Sequence, residues 1–133
     1  MRKEHLRCID WRTIRHQIGK ELKVKQVKLE IYTPKDYIQP LILALSQIGA
    51  CNVGAYSHVS SYSEVSGTWK PEVGSHPFQG KIDELCCGQE YRLEVRCPFN
   101  CVEEALKTIK EIHPYEEPLI NVIPLLNDLF GIH

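Results

Sequence analysis

The sequence predicts an α+β fold: a ferredoxin-like split βαβ sandwich, its antiparallel sheet carrying two helices on one face. Three observations predict it. Val27, Leu29 and Ile31 alternate with Lys28, Glu30 and Tyr32, the period of a half-buried strand. Two separate stretches, residues 38–48 and 102–112, repeat apolar side chains at helical spacing. β-rich sequence lies around them, so the order reads strand, helix, strand pair, strand, helix, strand, which is two split βαβ units.

The chain opens on a basic extension, residues 1–26, expected to be partly helical or frayed. Residues 1–28 hold nine Lys or Arg against three Asp or Glu, a net of +6; the rest holds seven against fourteen, a net of −7, and the two sum to −1. Leu6, Ile9, Thr13, Ile14 and Ile18 fall on one helical face, with Trp11 to the side. Such an arm on an acidic body suits plain solvation, RNA, an anionic membrane or the acidic surface of a partner subunit. Aromatic residues do not interleave its charges, which argues against a single-strand nucleic-acid platform. Nucleic-acid binding is expected nowhere else in the chain.

The domain proper is expected over residues 27–126, with a tail at 127–133. Thr33-Pro34 stops the first strand, and Pro34 sits where a helix can begin. Ile38, Leu41, Ile42, Leu45 and Ile48 then form an apolar stripe that Gly49 terminates. Residues 56–62 and 65–69 read as a strand pair with Glu64 in its turn. A glycine- and proline-rich loop follows, to Gly80. Leu93, Val95 and Cys97 alternate inward along a strand over residues 91–97. Asn100 reads as the N-cap of the second helix, with Glu103 three residues on. Val102, Leu106, Ile109 and Ile112 are its apolar face, and His113-Pro114 ends it. A last strand covers residues 119–123. Tyr and Trp residues of the middle strands are expected on the uncovered face of the sheet, which would then be buried against copies of the chain.

Composition narrows the class. A chain of 133 residues with 43% apolar and 25% charged residues suits one globular core. No apolar run approaches the roughly 20 residues that span a bilayer, and no secretory pattern opens the chain. Cysteines at 8, 51, 86, 87, 97 and 101 include an adjacent pair and do not resemble a disulfide framework. The expectation is a cytoplasmic protein with reduced thiols and no membrane partner. Neither GxxxxGK[ST] nor GxGxxG is present, and no nucleophile, base and oxyanion donor share a motif, so an enzyme is not expected.

Two stretches stand apart. Residues 54–80 set His58, Glu64 and His76 among Gly54, Gly67, Gly74, Gly80, Pro71 and Pro77. Residues 113–118 read HPYEEP. The candidate ligand-binding set is Tyr56, His58, Glu64, Gly67, Trp69 and His76. The loop of Gly67, Gly74 and Gly80 offers backbone N–H groups that suit an anion. The candidate metal set is His58, His113, Glu116 and Glu117, donors suited to a divalent ion such as zinc. The structural alternative has a cationic His113 capping the second helix, with Glu116 and Glu117 solvated or bonded to backbone N–H groups.

Four ordered motifs carry a family resemblance: G-x-Y-S-H from Gly54, G-T-W-K-P from Gly67, G-S-H-P-F-x-G from Gly74, and H-P-Y-E-E-P from His113. Over residues 27–126 the chain resembles the domain inserted in the YqfO branch of the NGG-interacting-factor family. The resemblance implies a PII/CutA-like build and a homo-oligomer, trimer or hexamer, with ligand clefts between subunits. In that family the inserted domain interrupts a larger one holding a dinuclear metal site, so a separate dinuclear-metal core protein is an implied partner. Val59 stands where relatives often have cysteine, Ser61 where an aromatic is usual, and Val65 where glycine is usual. The resemblance thus implies a non-enzymatic, self-assembling binding or regulatory module for a metal ion or small ligand. The alternatives it leaves are an accessory subunit of the core protein and a dedicated metal-binding protein.

Overall fold

Alternation in β1 (Gln26–Thr33) is complete: Val27, Leu29, Ile31 and Thr33 are buried while their neighbours are half-exposed. The structure, a computed structural model, describes residues 10–133. Pro34 starts a 3-10 turn, Lys35–Tyr37, that leads into α2 (Ile38–Gln47). Ile38, Leu41 and Leu45 are the buried face of α2, and Gly49 at φ +95° turns the chain away from its end. β2 (Ser61–Trp69) and β3 (Cys86–Pro98) follow, then α3 (Val102–Ile112) and β4 (Ile120–Leu125). The sheet order is β2-β3-β1-β4 and every neighbouring pair is antiparallel. Leu29, Ile31, Leu93 and Val95 from one face of the sheet meet Leu41, Leu45, Ala105 and Ile109 from the helices in a single core. This is the predicted ferredoxin-like α+β sandwich, with both of those helices on one face.

Burial sets the energetic scale. Leu29, Leu41 and Leu45 have no accessible surface, and each contributes about 1.5–3 kcal/mol of transfer free energy. The opposite face is uncovered and meets the expectation in part: Trp69, paired with Cys86, stands on it, as does Tyr32, paired with Arg92. Register places Tyr62 opposite Leu93, and Tyr91 beside Thr33, so both tyrosines stand on the helix-bearing side. The bare face also presents Lys28, Glu30, Arg92, Glu94 and Arg96 from the two central strands. Lys28 Nζ lies 3.5 Å and Arg92 Nε 3.3 Å from Glu94, so part of the charge on that face is matched within it.

Three local expectations change. The strand pair at residues 56–69 is one strand, β2. Tyr56 instead closes a small bridge with Val53, because His58 at φ +57° is left-handed and cannot extend a strand. Glu64 therefore lies within β2 rather than in a turn. At α3 the cap is Cys101, with no side-chain cap bond; Asn100 falls inside a 3-10 turn, Phe99–Cys101, that spirals directly into the helix. The predicted strand over residues 91–97 is the inner half of β3, which starts five residues earlier at Cys86.

Within the basic extension, α1 (Trp11–Glu21) is capped by Asp10, whose side chain accepts the N–H groups of Arg12 and Thr13 at 3.1 and 3.3 Å. Leu6 and Ile9 of the expected helical face lie outside the described residues. Ile14 and Ile18 do not supply the buried contact. Gly19 does, and a Cβ there would stand 2.7 Å from the Phe99 ring. Arg12 and Arg15 flank Glu103 of α3, so part of the basic charge is matched within the domain. Residues 127–130 of the tail form a 3-10 turn, Asn127–Phe130. No described helix is long and apolar enough to cross a membrane.

Candidate functional site

Trp69 ends β2, and its setting depends on two glycines. A Cβ on Gly88 would come within 3.0 Å of the indole, which therefore lies over that bare backbone. Gly80 has φ +93°, and a Cβ there would stand 2.5 Å from Cys86 Sγ and 3.2 Å from the indole nitrogen. The indole N–H donates to the Gln79 carbonyl at 3.1 Å. The loop after β2 is thus folded back onto the end of its own strand.

The segment after α3 meets that loop. His113 takes extended dihedrals, φ −66° and ψ 135°, as a residue before proline must, and so ends the helix. Its Nδ1 accepts the Tyr115 N–H at 3.2 Å, which leaves the proton on Nε2 to be donated to the Tyr32 carbonyl at 2.6 Å. Burial lowers the imidazole pKa below its ordinary value, in keeping with this neutral form. The expected cationic cap of α3 is therefore replaced by a neutral strut between α3 and the end of β1. Tyr115 stands edge-on to that ring, with centroids 4.7 Å apart. Its hydroxyl donates to Glu90 at 3.0 Å, and burial, reinforced by the Glu90 charge, pushes the phenol up to about 12.

Two tripeptides of the same form, His76-Pro77-Phe78 and His113-Pro114-Tyr115, come together here. Their aromatic rings lie 5.8 Å apart. Glu116 Oε2 accepts the His76 N–H at 2.7 Å and sits 3.2 Å from the His76 ring nitrogen Nδ1. Between loop and segment, at the end of the uncovered sheet face, lies a cleft of about 320 Å³. Trp69, Phe78 and Tyr115 wall it, and Glu90, Glu116 and Glu117 bring carboxylates to it.

Of the ligand set, Trp69 lines the cleft and His76 flanks it through the bond to Glu116. Tyr56 is 75% exposed and His58 is exposed beside Ser57 Oγ, 3.0 Å away; neither reaches the cleft. Glu64 lies on the helix-bearing face and accepts the Tyr91 hydroxyl at 3.3 Å. Gly67 is a strand residue opposite Gly88, so it is no part of an anion-binding loop. Glu116 and Glu117 of the metal set line the cleft, but both nitrogens of His113 are already engaged. Among the described residues no group of three or more His, Cys, Asp or Glu side chains is placed to share a metal ion, so these residues do not fit a resident metal. The sequence reading missed Phe78, Glu90 and Tyr115. The repeated His-Pro-aromatic form was the available signal for two of them.

The cysteines are split by burial. Cys51 and Cys97 are fully buried, and burial raises both thiols, Cys97 to about 12. Cys87 is exposed at the start of β3.

No protein-family model matches the chain. A GTP cyclohydrolase 1 type 2 homolog of Bacillus subtilis is 37% identical over 98 residues, which cover 74% of this chain and 26% of that protein. The chain thus spans about a quarter of the length of such relatives. Among solved structures, a Bacillus cereus protein related to NIF3 superposes with TM-score 0.66 at 25% identity, covering 84% of this chain and 32% of the other. CutA1 from a psychrotrophic Shewanella superposes with TM-score 0.59 at 15% identity, covering 77% and 82%, a likeness of fold.

Proposed function

From the premise that this chain belongs, through its PII/CutA-like domain, to the family of the GTP cyclohydrolase 1 type 2 homologs, we propose that it is a small-ligand-binding module rather than an enzyme. One observation carries the reading: the His76–Glu116 bond ties two turn-rich motifs, 40 positions apart, around an aromatic-walled cleft. A volume of about 320 Å³ suits a small metabolite, and a few polar groups converge on apolar walls as binding sites require. The cleft presents carboxylates beside aromatic rings, a lining that suits recognition of a small molecule.

Self-assembly belongs to the same reading. β2 is a nine-residue edge strand whose outer backbone has no partner strand among the described residues, and such an edge is completed by another copy. A thermal-shift screen of small metabolites tests the binding role. A hit should stabilise the wild-type chain and lose its effect in Trp69→Ala. Stabilisation that persists unchanged in that variant would remove the cleft from the proposal. Light scattering returning a monomer at all concentrations would remove the assembly.

The relatives' greater length favours a second reading, an accessory subunit docking on a separate core protein. Co-purification with a dinuclear-metal core homologue from the same cell tests it, and two species eluting independently would count it out.

A further inference from the structure

We infer that the cleft between Trp69, Phe78 and Tyr115 takes an organic cation, a small amine or quaternary ammonium, rather than a phosphate or a neutral metabolite. This rests on the ligand-binding reading above and names its ligand class. Four aromatic residues line the cavity, Tyr32 beside Trp69, Phe78 and Tyr115, and aromatic faces attract an alkylammonium group by their quadrupoles. Three carboxylates, those of Glu90, Glu116 and Glu117, meet the same space against one lining cation, Lys70. The Lys70 ammonium is 3.2 Å from Asp83, which matches its charge. Glu116 is held by His76. That leaves Glu117 and the second oxygen of Glu90 to meet a ligand, since neither takes a hydrogen bond among the described residues. The Tyr115 hydroxyl, donating to Glu90, fixes that carboxylate against the aromatic wall. The resulting negative potential, in a pocket partly shielded from water, repels phosphate and favours a positive charge.

Choline, an uncharged analogue in which carbon replaces its nitrogen, and inorganic phosphate are the probes. Each is titrated into the full chain by calorimetry and by amide NMR spectra. Choline is expected to bind at the Trp69, Phe78 and Tyr115 amides about tenfold more tightly than its neutral analogue. Glu117→Gln and Glu90→Gln should each weaken choline severalfold while leaving the neutral analogue unaffected. In the Glu90→Gln variant the side-chain amide oxygen still accepts the Tyr115 hydroxyl, so the wall keeps its shape and loses only charge. Equal affinity for the neutral analogue, or phosphate shifting the same amides, overturns the cation assignment and leaves the cleft a binding site. Absence of shifts there with all three probes overturns both.

Discussion

The backbone N–H of His76 donates to the Glu116 carboxylate at 2.7 Å, and the His76 ring lies within 3.2 Å of the same oxygen. One carboxylate therefore holds the long loop after β2 to the segment that follows α3. The Phe78 ring against Tyr115 is a second tie to that segment. The loop is otherwise pinned by the Trp69 bond to Gln79, the Asp83 N–H on the Pro71 carbonyl at 2.6 Å and the Lys70–Asp83 pair.

Glu116→Ala should detach the loop while leaving the core intact. A charge-assisted bond at a half-exposed site is worth about 1 kcal/mol, so global stability falls modestly. Limited proteolysis across residues 72–80 should accelerate severalfold, because local opening becomes easier. Unchanged cleavage there would show that the loop is held by something else.

Gly80→Ala should be more damaging than Gly88→Ala. At Gly80 a side chain meets both a left-handed backbone, φ +93°, and the Cys86 sulfur, a combination that costs about 1–3 kcal/mol. At Gly88 the added methyl meets the rim of the movable Trp69 indole at 3.0 Å. Denaturant unfolding gives the stabilities, and Trp69 emission, read in a Trp11→Phe background, should shift in both variants.

His113 makes the domain acid-sensitive. Its folded pKa is depressed below the ordinary 6.5 by burial, so the unfolded chain takes up a proton that the folded chain refuses. The His113 contribution is complete above about pH 6.5 and is lost as pH falls from there through the depressed folded value. His113→Gln can donate to the Tyr32 carbonyl without titrating, and should flatten the melting temperature over that acidic range. His113→Ala leaves a carbonyl without its donor and should cost about 1–3 kcal/mol above about pH 6.5, a deficit that shrinks as the pH falls. An acid-side slope that persists in the Gln variant would assign it to other groups.

Thiol labelling should sort the cysteines by burial. Among the described cysteines Cys87 is exposed and should alkylate first, whereas Cys51 and Cys97 are inaccessible with raised pKa values. A thiol at about 12 carries roughly 10³-fold less thiolate than an ordinary one, so mass spectrometry should find Cys97 unmodified until denaturant is added. Early labelling of Cys97 would contradict the packing of β3 against α3.

Elements built on periodicity were legible from residues alone. Leu29 and Leu93 alternate into the core, and Leu41 and Leu45 recur at helical spacing, because those periods are imposed by the backbone itself. The site was legible only in part. Trp69 and Glu116 lie in motifs conspicuous for glycine and proline, but nothing local to Glu90 states that Tyr115 will reach it from 25 positions away. His58 misled for the opposite reason: its neighbours favour strand, while its left-handed φ of +57° breaks the extended run before β2 begins.

Lys25 and Asp128 pair at 3.5 Å, one just before β1 and the other just after β4. The sheet's first and last residues, Gln26 and Leu125, are direct cross-strand partners. The way in and the way out of the domain are therefore side by side. A host protein can accept the whole unit at one surface turn without stretching its own fold, as if a bead had been threaded onto a loop.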